Sequence, residues 1–205
     1  MSLRINHNIA LLNGHRNMVK NDAAVSKSLE KLSSGLKINR AADNAAGLVI
    51  SEQMRAQLNG IKQAMNNTEQ AVTMVQTAEG ALDEMNTLLS KVKSLALHAM
   101  NSGVSDASQR SADNAEFQNI LSSVDRIVGQ TRFAGQALLD GTFSTAAALF
   151  QVGEQGGDQV SITIGSIGTT ALSFTGATVL TAGSATDTLS IVSAAINTVT
   201  NLRGR

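Results

Sequence analysis

An apolar repeat that begins soon after Asp43 and continues to about Met100 is the feature that most constrains this sequence. Its apolar positions alternate in spacing between three and four residues, which is typical of a helix that packs a seam against other helices. No proline interrupts the stretch. At about 1.5 Å per residue, a helix of this length extends roughly 85 Å, which is more than the diameter of a compact domain. The repeat therefore predicts a rod, and rods favour structural or assembly roles over ligand pockets.

The same repeat supplies the residues that we predict to form the helix seam and to act in assembly. These seam residues are Met54, Leu58, Ile61, Met65, Val72, Val75, Leu82, Leu89 and Val92. Because an unpaired buried charge costs several kcal/mol, a lysine at Leu58 or Val72 is predicted to abolish folding or assembly. Gly60 and Gly80 also lie in the predicted helix, where each costs about 1 kcal/mol relative to alanine. We interpret these glycines as points where a neighbouring helix approaches closely.

The composition agrees with helix packing rather than with a globular core rich in aromatic side chains. The 205 residues include no Pro, Cys, Trp or Tyr and only 5 Phe, although 42% are hydrophobic. The charged fraction is 16%, against about 25% in ordinary globular proteins, so self-repulsion is weak and dense self-packing is permitted. The lack of cysteine excludes disulfides, thiolate metal sites and thiol nucleophiles within this sequence.

Basic residues concentrate in the first forty positions. That segment has seven Lys or Arg and two acidic residues, a net charge of +5, and the formal net charge of the whole chain is zero. A solvated helix face is the interpretation we favour, because the charges are interleaved with apolar residues and lack aromatic stacking partners. The alternative that stays open is an amphipathic-helix interaction module that binds anionic lipid surfaces or partner coiled coils.

The remaining patterns predict a mainly α fold: a long antiparallel helical rod or bundle with a small β-hairpin region. Period-2 alternation flanks a turn-rich segment at 153–158, which is typical of a hairpin. The Thr- and Gly-rich segment 171–183 predicts a loop with one more short strand at 172–174. The predicted domains are 1–33, a connector at 34–43, and 44–205, with helices at about 44–100, 105–128 and 184–202 and the hairpin at about 148–165.

Sequence signatures of chemistry are missing. The chain has no Gly-rich phosphate loop, no H-E-x-x-H pair and no G-x-S-x-G elbow, and its histidines (His7, His15 and His98) are far apart. We therefore predict no enzyme, no cofactor and no metal site. The N-terminus lacks the apolar region of a signal peptide, and no apolar run reaches the roughly 18 residues of a membrane span, so neither a secretory leader nor membrane insertion is expected. Nucleic acid is not an expected partner.

Five segments give the chain a clear resemblance to the bacterial flagellins. They are INHN at 5–8, LSSGLKINRAADNAAGL at 32–48, QTAEGAL at 76–82, FAGQALLDG at 133–141 and FQVG at 150–153. The resemblance covers the chain and loosens only near 165–185. It implies a structural subunit that self-assembles into the extracellular flagellar filament, a helical tube used for swimming, after secretion through the flagellum's type III export apparatus. A flagellar junction or cap-associated protein is the nearer alternative.

The resemblance also assigns the domains. In flagellins the N-terminal helix (here 1–33) lines the inner core of the tube, and the next domain (here 44–205) forms its helical wall. The sequence resembles a short form without outer variable domains. Flagellins end in a C-terminal helix pair, and this sequence stops near the start of that region, so we expect a fragment or truncated product whose seam lacks its usual partner.

A last implication concerns immune sensing. A Toll-like receptor binds flagellins on the long helix and the neighbouring helix. The matching positions here are Lys91, Leu95 and Glu116. Members that are sensed well have Arg where Lys91 stands and Glu where Ser94 stands. Lysine cannot reproduce the bidentate contact of a guanidinium, so weakened receptor binding is expected.

Overall fold

The computed structural model describes residues 8–103 and 105–204, and over those residues the chain is mainly helical. Two pairs of short antiparallel strands complete the regular structure of these ranges. The predicted fold class, mainly α with a small β-hairpin region, is therefore confirmed. The elements are α1 (Ile9–Ser34), α2 (Ala45–Met100), α3 (Ala107–Gln130), β1 (Arg132–Phe133), β2 (Gln136–Ala137), α4 (Thr142–Thr145), β3 (Ala148–Gln151), β4 (Gln159–Ile162) and α5 (Ala182–Arg203).

The chain divides into two compact units, Met1–Gly60 and Ile61–Arg205. Unit 1 contains α1, the connector and the start of α2, and unit 2 contains the rest of α2 and all later elements. The first seven positions of the predicted domain 1–33 lie outside the described residues. The assignment of 1–33 and 44–205 to layers of a filament stays a prediction.

In unit 1, α1 has a well-defined start and end but no covered face. The side chain of Asn8 caps its first turn by accepting from the amide of Leu11 at 3.2 Å. Gly35 ends it in the left-handed conformation (φ +68°), which glycine adopts without strain. No residue of α1 in the described range is buried. Its exposed large apolar side chains are Ile9, Leu11, Leu12, Met18, Val19, Val25, Leu29 and Leu32.

Polar contacts order the connector between α1 and α2. The side-chain nitrogen Nδ2 of Asn39 donates to Ser34 Oγ at 2.8 Å and to the carbonyl of Glu30 at 3.3 Å. Arg40 Nε donates to a carboxylate oxygen of Glu30 at 2.8 Å. At the start of α2, Asn44 Oδ1 accepts from the amide of Gly47 at 2.9 Å. The connector is therefore held to the last turns of α1 by side-chain hydrogen bonds.

Asp43 adds a charge-dependent contact to this connector. Its carboxylate pairs with Lys27. That hydrogen bond, together with one from the backbone amide of Asn39, holds the pKa of Asp43 below its ordinary value of 3.8, against the opposing effect of partial burial. A depressed pKa means that the contact stabilises the fold above the unfolded-state pKa, and that this stabilisation is lost as the pH falls through the folded pKa.

We therefore expect the Asp43 carboxyl to titrate with a midpoint below 3.8. The carbon chemical shift of that carboxyl, followed by NMR from neutral pH downwards, measures the midpoint. The Lys27→Gln variant should move the midpoint upwards, because it removes the largest cause of the shift. A midpoint at or above 3.8 in the unmodified chain would contradict the Lys27–Asp43 contact.

The three long helices α2, α3 and α5 build the core of unit 2. Between α2 and α3, Asp106 and Gln109 form a reciprocal capping box, each side chain bonding the other residue's backbone amide at 2.7 and 3.1 Å. A second capping box, between Thr181 and Ser184, starts α5. Buried side chains from α2, α3 and α5 form one apolar cluster, in which Phe117 meets Phe174 edge to face with ring centroids 6.4 Å apart.

The hairpin of strands β3 and β4 is joined to α2. Ala148 faces Ile162 and Gln151 faces Gln159 in its antiparallel register. Asn67 Nδ2, on α2, donates to the carbonyl of Gln151 at 3.1 Å. Before the hairpin, Asp140 accepts from the backbone amide of Thr142, and this bond lowers the pKa of Asp140.

The segment after the hairpin differs from its prediction. No strand forms at 172–174; instead, the amides of Leu172 and Phe174 donate to the carbonyls of Gly168 and Thr169, and Ser173 has a positive φ of 63°. Leu172 and Phe174 are therefore buried from consecutive turns and not from a strand. The buried side chains of this segment are Ile167, Leu172, Phe174, Ala177 and Val179.

Candidate assembly surface on the long helix

Two parallel apolar stripes lie on α2 within unit 2, and only one of them is covered. The buried stripe consists of Ala64, Ala71, Met74, Ala78, Leu82, Met85, Leu89, Val92, Ala96 and Ala99. The exposed stripe consists of Ile61, Met65, Val72 and Val75, which are 48%, 60%, 49% and 41% exposed. Each residue of the exposed stripe from Met65 onwards directly follows one of the buried stripe. Since successive residues are about 100° apart around a helix, the two stripes form one wide apolar face with one uncovered edge.

The predicted seam is therefore divided. Leu82, Leu89 and Val92 lie in the core, whereas the four seam residues of the exposed stripe lie at the surface. In unit 1, Met54 and Leu58 are also exposed, at 58% and 57%. Because Leu58 and Val72 are both exposed, the cost of a buried charge does not apply to the folding of the single chain. That a lysine at either position abolishes folding or assembly stays a prediction, and it now depends on assembly.

Helix length limits how much of α2 the other two long helices cover. α2 has 56 residues, but α3 has 24 and α5 has 22. α3 runs antiparallel to α2, as the contacts of Lys91 with Glu116 and of His98 with Asp113 demonstrate. At the end of α5, Arg203 contacts Glu79 at 3.3 Å. Both covering helices therefore reach back along α2 only as far as about residue 79.

A shallow groove lies where the covering helices are missing. One wall is the exposed stripe of α2 and the other is the start of the β3–β4 turn, at Val152 and Gly153. The two hydroxyls in the groove are both occupied, because Thr68 donates to the carbonyl of Ala64 and Thr73 to that of Glu69, each at 2.8 Å. The groove therefore offers mainly apolar contact. Its lining residues are Ile61, Ala64, Met65, Thr68, Glu69, Val72, Thr73, Val152 and Gly153.

Polar side chains mark the other end of this face. Arg203 reaches from α5 to Glu79 and, through Nη1, to Asp83 at 2.8 Å. Val75 and Val160 line the adjoining hollow between α2, β4 and α5. The apolar face is thus continuous from Ile61 to the ion pairs of Arg203, which fits a helical partner better than a small ligand.

The residues that the resemblance assigns to a receptor contact lie at the α2–α3 interface. Lys91 Nζ is 2.5 Å from Glu116 Oε1, and Leu95 is half-buried against the core. Nearby, His98 Nδ1 lies 2.7 Å from Asp113. Lys91 and Glu116 therefore bind each other in the free chain, and their receptor role stays a prediction.

The Lys91–Glu116 pair should contribute little to stability. Both side chains are about half exposed, and exposed ion pairs are worth about 0.2–1 kcal/mol. A double-mutant cycle of Lys91→Ala and Glu116→Ala in urea unfolding should give a coupling free energy in that range. A coupling above about 2 kcal/mol would mean that the pair is desolvated.

Within residues 8–103 and 105–204, no three His, Cys, Asp or Glu side chains are grouped to hold a metal ion. His15 and His98 lie in α1 and α2, and His7 lies outside the described range. In the same part of the chain, no helix combines the length and apolarity that a membrane span requires. The apolar face of α2, like the exposed apolar side chains of α1, is a surface that a partner would cover.

The chain is similar to a known protein family and to known flagellar proteins. Residues 5–144 match the bacterial flagellin N-terminal helical region, a span that includes α1, α2 and α3. The chain belongs to the bacterial flagellin family. It is 41% identical over 179 residues to flagellin of Bacillus subtilis (strain 168), covering 83% of this chain and 59% of that protein. It is 45% identical over 158 residues to flagellin of Halalkalibacterium halodurans, covering 77% and 57%.

A solved structure agrees on the fold. The crystal structure of Bacillus cereus flagellin superposes with a TM-score of 0.59 and 24% sequence identity, over 68% of this chain and 79% of that one. The resemblance to bacterial flagellins stated from sequence motifs is confirmed. The chain spans just under three fifths of the length of the two flagellins compared by sequence.

Sequence reasoning missed the buried stripe at its start. Ala64 and Ala71 are covered, although neither stands out in a hydrophobic pattern beside Met65 and Val72. Their spacing, seven residues apart and continued by Ala78, was the available signal, because small residues at heptad spacing permit close packing. The interpretation of Gly80 as a point of close approach is not supported, since a Cβ built there meets nothing within 4 Å.

Proposed function

We propose that this chain is a structural subunit of the bacterial flagellar filament, that copies of it self-assemble into the helical tube used for swimming, and that it catalyses no reaction. The observation that carries the proposal is the exposed apolar stripe of α2 in a member of the flagellin family. A monomeric protein rarely leaves such a contiguous apolar face in water.

In this proposal the exposed stripe drives assembly by leaving water. Full burial of one Val, Ile or Met side chain is worth about 1.5–3 kcal/mol, and these side chains are already about half covered, so each contributes roughly 1 kcal/mol. The partner is an apolar flagellin helix, because a helical seam fits the three-and-four spacing of the stripe. Small axial slips between neighbouring subunits would give two discrete packing states and hence a curved filament.

The two domains of the sequence take different places in this proposal. Residues 1–33 line the inner core, which agrees with an α1 that has no buried side chain in the described range. Residues 44–205 form the tube wall. The filament lies outside the cell, and the chain would reach it through the flagellar type III export apparatus. The Toll-like receptor contact at Lys91, Leu95 and Glu116 would require the receptor to displace the Lys91–Glu116 pair.

Seeded polymerisation tests the proposed function. Concentrated subunit is mixed with short filament seeds, and elongation is followed by sedimentation and electron microscopy. Filaments that lengthen and sediment are the expected result. A subunit that stays monomeric in the presence of competent seeds would contradict the proposal.

A second candidate function rests on α1. Its exposed apolar residues and the basic first forty positions suit an amphipathic helix that binds anionic lipid. Co-sedimentation with anionic vesicles measures such binding. If removal of residues 1–40 leaves the bound fraction unchanged, the lipid-binding function is wrong.

A further inference from the structure

The methionines of α2 differ sharply in their access to solvent. Met65, on the exposed stripe, is 60% exposed. Met74 and Met85, on the buried stripe of the same helix, are 3% and 0% exposed. Met54, nearer the start of α2, is 58% exposed. Since oxidation of a thioether follows its exposure, one helix carries both vulnerable methionines and protected ones.

Met65 occupies a position where a change of polarity has consequences. It lies in the apolar groove between Ile61 and Val72 on α2 and Val152 of the hairpin turn. The nearby hydroxyls of Thr68 and Thr73 already donate to main-chain carbonyls. An oxygen atom added to the sulfur of Met65 would therefore find neither hydroxyl free to donate to it.

We propose that Met65 is an oxidative modification site of the unassembled chain, and that its conversion to methionine sulfoxide by a peroxide prevents the groove from packing against its helical partner. The second half rests on the proposed function, since it requires the exposed stripe to bind a flagellin helix. The first half requires only the exposure of the side chain.

The reaction is balanced with hydrogen peroxide as the oxidant. A sulfur lone pair of Met65 attacks one peroxide oxygen, an S–O bond forms and the O–O bond breaks. The sulfur loses two electrons, and the departing oxygen is released as water after proton transfer. The product carries a strongly polar S–O group in place of the thioether.

The sulfoxide opposes assembly because its oxygen must lose water when the groove is covered. A buried acceptor without a donor weakens an interface about tenfold or more. Assembly in turn shields the sulfur, so that oxidation acts on the free chain and not on the polymer. Methionine sulfoxide reductases can reverse the modification, which makes it a switch rather than permanent damage.

The test uses two full-chain variants that differ only at residue 65. The first carries M18L and M54L, which remove the other exposed large methionines of the described ranges, and the second carries M65L in addition. Leucine and methionine have similar volumes, so both variants should fold alike. Each is treated with dilute hydrogen peroxide, mapped by peptide mass spectrometry, and compared in hydrophobic-interaction chromatography and seeded polymerisation.

In the first variant, Met65 should oxidise at least about tenfold faster than Met74 and Met85. After treatment this variant should elute earlier from the hydrophobic column and polymerise about tenfold less, and a sulfoxide reductase should restore both properties. Peroxide treatment should change neither the elution nor the polymerisation of the M65L variant, relative to the same variant before treatment. Equal oxidation rates at Met65 and Met85, or equal responses of the two variants, would overturn the inference. Failure of the untreated protein to polymerise would instead count against the proposed function, with oxidation and elution still deciding the inference.

Discussion

Replacing Val92 with lysine is expected to unfold unit 2. Val92 lies on the buried stripe of α2 with no exposed surface, in the cluster that α2, α3 and α5 share. A lysine there would place an unpaired charge among apolar side chains, at a cost of about 3–5 kcal/mol. That cost is a large part of the roughly 5–15 kcal/mol by which a typical domain is stable. Far-ultraviolet circular dichroism and a thermal melt would measure the loss of helix.

The control for Val92→Lys is the same substitution elsewhere on the same helix. Val72 is 49% exposed, and a lysine there can extend its ammonium group into water. Val72→Lys should therefore change the free energy of unfolding by no more than about 0.5 kcal/mol. If both variants melted alike, the division of α2 into a buried and an exposed stripe would be wrong.

Val72→Lys should instead abolish assembly. Its side chain lies in the middle of the exposed stripe, and covering a charge there without a partner should weaken the contact about a hundredfold, which corresponds to roughly 3 kcal/mol. Seeded polymerisation measured by sedimentation would detect the loss. Normal filaments from a folded Val72→Lys chain would show that this stripe is not an assembly surface.

A second variant separates position from charge in that experiment. Gln70 is exposed and lies about 160° around the helix from Val72. Gln70→Lys adds the same charge to the opposite side of α2 and should leave polymerisation unchanged. Equal inhibition by the two substitutions would point to net charge, not the apolar stripe, as the cause.

The sequence was sufficient to predict that α2 exists and that it needs partners, because a proline-free repeat of threes and fours leaves few alternatives. It could not tell which edge of the apolar face is covered. Ala64 directly precedes Met65, and Ala71 directly precedes Val72. Both the alanine pair and the larger pair are seven residues apart, so both satisfy helical spacing. The choice depends on parts of the chain outside α2. The β3–β4 hairpin lies beside this part of α2, where Asn67 donates to the carbonyl of Gln151, while α5 reaches back only to Glu79.

The segment at 171–183 shows a different limit. Its Thr- and Gly-rich sequence predicts a loop with one short strand, but the structure buries Leu172 and Phe174 from consecutive turns. Phe174 is held by its packing on Phe117, a contact between residues far apart in the chain. Local periodicity carries no information about such a contact. The capping residues Asp106 and Thr181 differ, because each bonds a residue three positions along the chain and therefore depends on local sequence alone.

The most direct test of the assembly surface is an electron cryomicroscopy reconstruction of the filament that we propose this chain forms. In it, the side chains of Met65 and Val72 should contact an apolar helix of flagellin, and their exposed fractions should fall from 60% and 49% to the level of Met74, at 3%. A reconstruction in which Met65 and Val72 still face water would contradict the account.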